Sequence, residues 1–226
     1  MQGDWGLRPR TILQLDFDGT LVEGDASTGI LEHFAGPGWD QRISAASSKL
    51  SSDPESSALI DTMTKGYAAL GTDFEAYIAH VHARHRARPG LRELIDVATS
   101  LDMEAHVVSN GFEFYIRDHL RAAGVEGRVS LHTGAAVGKV LSYAGPYGRP
   151  VRSRFKERWT EHFSRDGARV IYVGDGTSDI AAASMCAVVF ARDSLLTALQ
   201  GRFQGELRPF ENLHEVARSL REGNHP

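Results

Sequence analysis

The chain has 226 residues, 42% hydrophobic and 24% charged, which is long enough for a full core plus an insertion, and its net charge of −4 gives no reason to expect nucleic acid as a partner. One cysteine, Cys186, excludes an internal disulfide and a cysteine-rich metal site. No uninterrupted apolar run approaches the roughly 20 residues of a membrane span, and no apolar signal core precedes the first predicted strand, so a cytoplasmic protein without a membrane partner is the expectation.

Thr11 to Phe17 is mostly apolar and alternates poorly, as does a strand buried on both faces. It runs into Asp16-Phe-Asp18-Gly-Thr20, two carboxylates at the carboxyl end of a strand, where open α/β sheets bind ligands. Residues 22–88 carry helical patterns and no strand, and predict a small all-helical domain inserted after the first strand. A helix through Ile30, Leu31 and Phe34 has Ser27 or Thr28 as candidate caps and stops at Gly36-Pro37-Gly38. The polar, serine-rich stretch Ser44 to Ser57 follows, with Asp53-Pro54 as a turn. Leu59, Ile60, Met63, Tyr67 and Leu70 have helical spacing, as do Phe74, Tyr77, Ile78, Val81 and His85 after a capping Asp73.

Pro89-Gly90 marks the return to the main domain, residues 1–21 and 89–226. A helix over Leu91 to Ala98, a strand over Glu104 to Val108 and a helix over Phe112 to Ala123 ended by Gly124 are predicted. Val129 to His132 reads as a strand, and residues 133–152, rich in Gly and Pro, as a hairpin or extended loop. Then come a helix over Ser153 to Ser164, a strand over Arg169 to Val173, a helix over Ser178 to Met185, a strand over Ala187 to Ala191, and helices from Ser194 and Glu211. Strands alternating with helices imply an α/β fold: a Rossmann-like, mostly parallel sheet with helices on both faces, plus the helical insertion.

Three predicted strands end in polar turns: Asp16 to Thr20, Ser109-Asn110-Gly111, and Gly174-Asp175-Gly176-Thr177-Ser178-Asp179. In a parallel sheet these ends share one edge, so Asp16, Asp18, Asp175 and Asp179 can meet. An oxygen-rich cluster suits a hard cation, Mg²⁺ above all when a phosphate completes the shell. Ser109 is placed at the start of a helix, where Asn110 and Gly111 offer backbone N–H groups to a phosphate.

With these motifs in this order, the chain resembles the haloacid dehalogenase-like superfamily of phosphatases. The resemblance implies that Asp16 is the nucleophile and forms an aspartyl phosphate, and that Asp18 is general acid and then base. It implies Mg²⁺ as cofactor, held by Asp16, the backbone carbonyl of Asp18, Asp175 and, directly or through water, Asp179. Thr20, Ser109 and one lysine would bind phosphoryl oxygens. The four lysines are Lys49, Lys65, Lys139 and Lys156. Lys156, near the start of the helix before the Asp175 strand, is the preferred one over Lys139 in its Gly-rich loop.

An aspartate at position 18 favours phosphate ester hydrolysis over dehalogenation, since a halide leaves without a proton. The all-helical insertion resembles the cap of the phosphoserine phosphatase-like branch. Ala35 to Trp39, Ser109 to Tyr115 and Phe190 to Leu196 resemble the methionine-salvage phosphatases of that branch. The chain departs from those enzymes in having no cysteines in 133–152, and from phosphoserine phosphatases in Asn110. Asp25 either recognises a substrate amine or hydroxyl, or caps a helix. His80 to Arg88 either attracts a second anionic group of the substrate or is an exposed basic helix end. The expected partner is a small phosphorylated metabolite; the oligomeric state is left open. A phosphotransferase or mutase, or a non-catalytic binding protein on the same scaffold, stands as the alternative.

Overall fold

The computed structural model describes residues 10–52, 57–165 and 167–223. Among them the chain forms, in order, β1 (Thr11–Leu15), α1 (Ala26–Phe34), α2 (Trp39–Ser52), α3 (Ala58–Ala69), α4 (Phe74–Arg84), α5 (Leu91–Ser100), β2 (Met103–Phe112) and α6 (Glu113–Ala122). There follow β3 (Ser130–Val137), β4 (Val140–Ala144), β5 (Pro150–Val151), α7 (Phe155–Arg165), β6 (Arg169–Gly174), α8 (Ile180–Ala183), β7 (Val188–Ala191), α9 (Asp193–Leu199), β8 (Glu206–Pro209) and α10 (Leu213–Arg221). The strands make one sheet in the order β5-β4-β3-β2-β1-β6-β7-β8. It is parallel from β3 to β8 and antiparallel from β3 to β5.

β1 lies at the centre, paired in parallel with β2 and β6. Ile12 and Gln14 point to one face, Leu13 and Leu15 to the other, and all four are fully buried, so both faces of the sheet are covered. From β1 the chain builds outward through β2 and β3, then returns to the other side of β1 with β6. The β1–β6 pair is therefore where the strand order reverses, and the crevice beyond its carboxyl ends is the ligand position of such sheets.

Gln14 is a polar side chain in the middle of that core, and α7 satisfies it. Thr160 Oγ1 donates to Gln14 Oε1 at 2.8 Å, and Gln14 Nε2 donates to the Lys156 carbonyl at 3.4 Å. These bonds tie the first turns of α7 to β1. On the other helices apolar stripes do the anchoring: Leu91, Leu94, Ile95 and Ala98 on α5, and Leu213, Val216, Ala217 and Leu220 on α10.

Residues 22–88 contain α1 to α4. The chain leaves and re-enters the sheet region through two adjacent antiparallel segments. Val22 bridges Ala87, Glu23 N–H donates to the Arg86 carbonyl at 2.9 Å, and Arg88 N–H to the Leu21 carbonyl at 2.8 Å.

Several predicted boundaries shift. The polar stretch from Ser44 is largely helical, as the end of α2. Among its residues of described burial, Trp39, Ile43 and Ala46 are the buried ones, too sparse to stand out among serines. The Asp53-Pro54 turn lies outside the described residues. α1 is capped by Asp25, not Ser27 or Thr28: its carboxylate accepts from Thr28 N–H at 2.8 Å. β2 continues four residues past Val108, with a register shift that pairs Val108 with His132 and Phe112 with Gly134. Residues 133–152 resolve as the hairpin alternative. The edge strand β8 escaped prediction because Glu-Leu-Arg-Pro shows no apolar alternation. Among the described residues, no helix is long and apolar enough to cross a membrane.

Candidate active site

The tip of β1 supplies the first carboxylates. Phe17 to Val22 turn tightly, with Leu21 N–H donating to the Phe17 carbonyl at 2.8 Å and Gly19 N–H to the Gly24 carbonyl at 2.8 Å. Gly19 has φ +76°, and a Cβ there would stand 2.1 Å from Asp175 Oδ2. Only glycine gives the backbone this conformation and leaves room for the carboxylate arriving from β6.

Asp16, Asp175 and Asp179 converge: one oxygen from each lies within 4.8 Å of the others. Lys156, buried in the first turn of α7, joins them. Its Nζ is 2.7 Å from Asp16 Oδ1, 2.6 Å from Asp179 Oδ1 and 3.1 Å from Ser178 Oγ. A cation at a helix amino end opposes the helix dipole, and here two carboxylates offset that cost. Lys139 sits at the exposed β3–β4 turn and does not line the cavity.

Asp179 is fully buried and fully engaged. Oδ1 accepts from Lys156 and from the Tyr172 hydroxyl at 2.6 Å; Oδ2 accepts from Asp175 N–H at 3.1 Å and Gly176 N–H at 2.9 Å. Those four donors use the roughly four acceptor sites of a carboxylate. Asp175 accepts from Thr20 Oγ1 at 2.7 Å. Thr20 is fully buried behind Asp175 and outside the cavity, so its hydroxyl orients that carboxylate instead of meeting a ligand.

The Asp18 side chain turns away from this cluster. Its Oδ1 accepts from Ala26 N–H at 3.0 Å, and its Oδ2 from the Tyr115 hydroxyl at 2.6 Å and Ser27 Oγ at 3.3 Å. Of the four aspartates expected to gather, only three bring their side chains together. Any part Asp18 takes in holding a cation falls to its backbone carbonyl.

Ser109, Asn110 and Gly111 line the cavity from the bulged end of β2, and α6 starts only at Glu113. This corrects the placement of Ser109 at a helix start. Helical periodicity cannot mark where a strand with an irregular register stops. Gly111 N–H donates to Ser109 Oγ at 3.0 Å, which leaves the serine O–H to point elsewhere. The Asn110 carbonyl accepts from the Tyr143 hydroxyl at 2.6 Å, while its buried Oδ1 has no hydrogen-bond partner. Asp25 lines the cavity rim, but Oδ1 accepts from Thr28 N–H and Ser27 Oγ and Oδ2 from Thr28 Oγ1. That is the capping alternative.

These groups surround a cavity of about 490 Å³. Arg88, the end of the basic segment, also lines it, and its other walls were not foreseen: Ile43 and Ser47 from α2, Leu59 and Met63 from α3, and Arg192 and Asp193. Arg88 is buried and donates to the Gly19 carbonyl at 2.6 Å and the Thr20 carbonyl at 2.8 Å. In the rest of the His80 to Arg88 segment the helix-end alternative holds in part: His82 and Arg84 are exposed in the last turn of α4, and Arg86 is exposed just beyond it. His80 is buried beside His33 and Phe34, His82 meets Asp118 at 2.6 Å and stacks on His119, and His85 Nδ1 faces the Glu23 carbonyl at 3.0 Å.

Electrostatics mark the cluster as short of positive charge. Burial, then the neighbouring Asp179, raises Asp16 well above the usual carboxylate range even with Lys156 beside it. Burial and Asp179 push Asp175 up to about 6. Burial and Asp25 push Asp18 up to about 7. Burial opposes the charge on Lys156, but Asp16 and Asp179 outweigh it and raise its pKa. Three clustered carboxylates face one ammonium, and their hard oxygens fit a Mg²⁺-sized ion. Cys186, foreseen as a structural thiol, is buried and pushed up to about 12.

The profile of the haloacid dehalogenase-like hydrolase family matches residues 14–184. A 2-hydroxy-3-keto-5-methylthiopentenyl-1-phosphate phosphatase of Microcystis aeruginosa is 27% identical over 221 residues, 92% of this chain and 97% of that protein. One of Exiguobacterium sibiricum is 22% identical over 218 residues, 91% and 94% of the two chains. Among solved structures, a phospho-aspartyl intermediate analogue of phosphoserine phosphatase aligns with a TM-score of 0.64 at 16% identity, covering 94% of this chain and 99% of that one. Cytosolic 5'-nucleotidase IIIB bound to cytidine aligns at 0.59 and 17%, covering 94% and 84%. At such identities the structural likeness speaks for the fold alone, and the match to the family profile carries the family. The chain belongs to the haloacid dehalogenase-like hydrolases, among their phosphatases.

Proposed function

We propose that this phosphatase hydrolyses a small phosphomonoester with Mg²⁺ through an aspartyl phosphate on Asp16, under a cap formed by residues 22–88. The observation that carries the reading is the placement of buried Lys156 between Asp16 and Asp179, with Asp175 alongside. Asp16 would attack phosphorus, held at the cavity floor by Lys156 and approached by the Ser109 hydroxyl. Asp16 and Asp175 would hold the ion, with the Asp18 carbonyl; Asp179, its acceptor sites taken, would position Lys156 and the turn after β6. Mg²⁺ bound there would screen the phosphate from the carboxylates and polarise its oxygens. Asp18, raised to about 7, can carry a proton near neutrality and give it to the leaving oxygen.

For the substrate, the apolar wall of Ile43, Leu59 and Met63 supports an organic portion with an apolar end. The methylthiopentenyl phosphate named for the relatives has such an end. Phosphoserine has none, and Asp25, committed to Thr28 and Ser27, is poorly placed to receive its ammonium. A panel of phosphorylated metabolites, assayed with purified protein and Mg²⁺, tests this. Highest kcat/KM for a thioether or alkyl phosphate is the expected result; a preference for phosphoserine contradicts the substrate reading and leaves the mechanism standing.

A further inference from the structure

We propose that Tyr115 is a positioning residue for proton transfer in this reaction: its hydroxyl fixes the Asp18 carboxyl toward the leaving-group oxygen. The inference rests on the reading of Asp18 as general acid. Tyr115 is fully buried on α6, its ring 5.9 Å from Phe17 and 6.2 Å from Phe112. Its hydroxyl donates to Asp18 Oδ2 at 2.6 Å. The backbone leaves space for this contact: a Cβ on Gly111 would stand 2.1 Å from the Tyr115 hydroxyl oxygen and 2.8 Å from Asp18 Oδ2. The other two donors to Asp18, Ala26 N–H and Ser27 Oγ, belong to α1 in the helical insertion. Tyr115 is thus the donor to Asp18 that comes from a helix following a strand of the sheet.

The proton count defines what Tyr115 does. As the Asp16–phosphorus bond forms and the bond from phosphorus to the leaving oxygen breaks, that oxygen takes the Asp18 proton and departs as an alcohol. Asp18 becomes a carboxylate and then accepts a proton from the water whose oxygen attacks phosphorus. Asp16 leaves as a carboxylate and inorganic phosphate is released. The Tyr115 proton stays on Tyr115 throughout; the hydroxyl sets the direction of the carboxyl.

A misdirected acid harms only esters whose leaving group needs a proton. The test is Tyr115→Phe, which removes one oxygen, assayed with Mg²⁺ on 4-nitrophenyl, phenyl and alkyl phosphates. We expect kcat/KM to fall less than about threefold on the nitrophenyl ester and more than about tenfold on the alkyl ester, within the range of general acid catalysis. The three values come from one preparation, so any unfolded fraction lowers them equally and leaves their ratio intact. Asp18→Asn is the reference and should steepen the same series further. Equal losses on all three esters, or no loss while Asp18→Asn steepens the series, would overturn the role of Tyr115. An Asp18→Asn series parallel to the wild type would overturn the general-acid reading and this inference with it.

Discussion

Lys156 and Asp18 carry the sharpest consequences of single side chains. Lys156 makes its contacts with Asp16 and Asp179 while buried, so removing it leaves two carboxylates without their cation. Lys156→Ala should lower kcat/KM for an aryl phosphate by about 10²-fold or more, by analogy with loss of a transition-state donor, and Lys139→Ala by less than about twofold. The reverse order would refute the assignment. Asp18 gives a stability prediction with a definite sign. Its folded pKa, about 7, lies above that of an unfolded aspartate, about 3.9. The unfolded chain therefore loses this proton first, and wild-type stability falls as pH rises from about 4 to about 7. Without Mg²⁺, Asp18→Asn should be more stable than wild type at pH 8, by about 1–2 kcal/mol once water at the open cavity is allowed for. The gain should fade below about pH 5; melting curves with chelator at both pH values check it. Both residues were legible from motif position alone. Tyr115 and Met63 were not, because what matters about them is what they face, and no spacing rule encodes that.

At the scale of elements, α1 decides how Asp25 is to be understood. A carboxylate that only caps the helix can be replaced by another capping group, because asparagine and serine serve at this position nearly as well. Asp25→Asn should keep kcat/KM within about threefold, whereas Asp25→Ala should destabilise the protein by about 1 kcal/mol. A large activity loss in a well-folded Asp25→Asn protein would mean that the charge itself matters, at the substrate or through its upward push on Asp18, and a shifted pH profile marks the second case. Elements with strong periodicity were legible: α5, with Leu91, Leu94, Ile95 and Ala98, and the central strand β1. Those that escaped lack a broad apolar face. α2 sets Trp39, Ile43 and Ala46 among serines, β8 is a polar edge strand, and the bulged end of β2 hides where strand gives way to helix.

For the whole molecule, the sheet order explains why distant motifs meet. β1 and β6 are neighbours at the reversal point, so Asp16 and Asp175 are brought side by side although 159 positions separate them in the sequence. α7, fastened to β1 through Gln14 and Thr160, delivers Lys156 to the same place. Alternation of strand and helix makes this convergence of Asp16 and Asp175 readable in the sequence. The walls of the cavity depend on how α2 and α3 pack over it, and that geometry is not written in any local pattern.

The central claim is that Asp16 takes the phosphoryl group with a divalent ion beside it. The most direct measurement is acid quenching of turnover with an aryl phosphate, followed by mapping of the modified peptide. With Mg²⁺ the phosphoryl group should sit on Asp16; EDTA should abolish it reversibly, and Asp16→Asn should show neither label nor turnover. A label on another residue, or an Asp16→Asn protein that still turns over, would contradict the account.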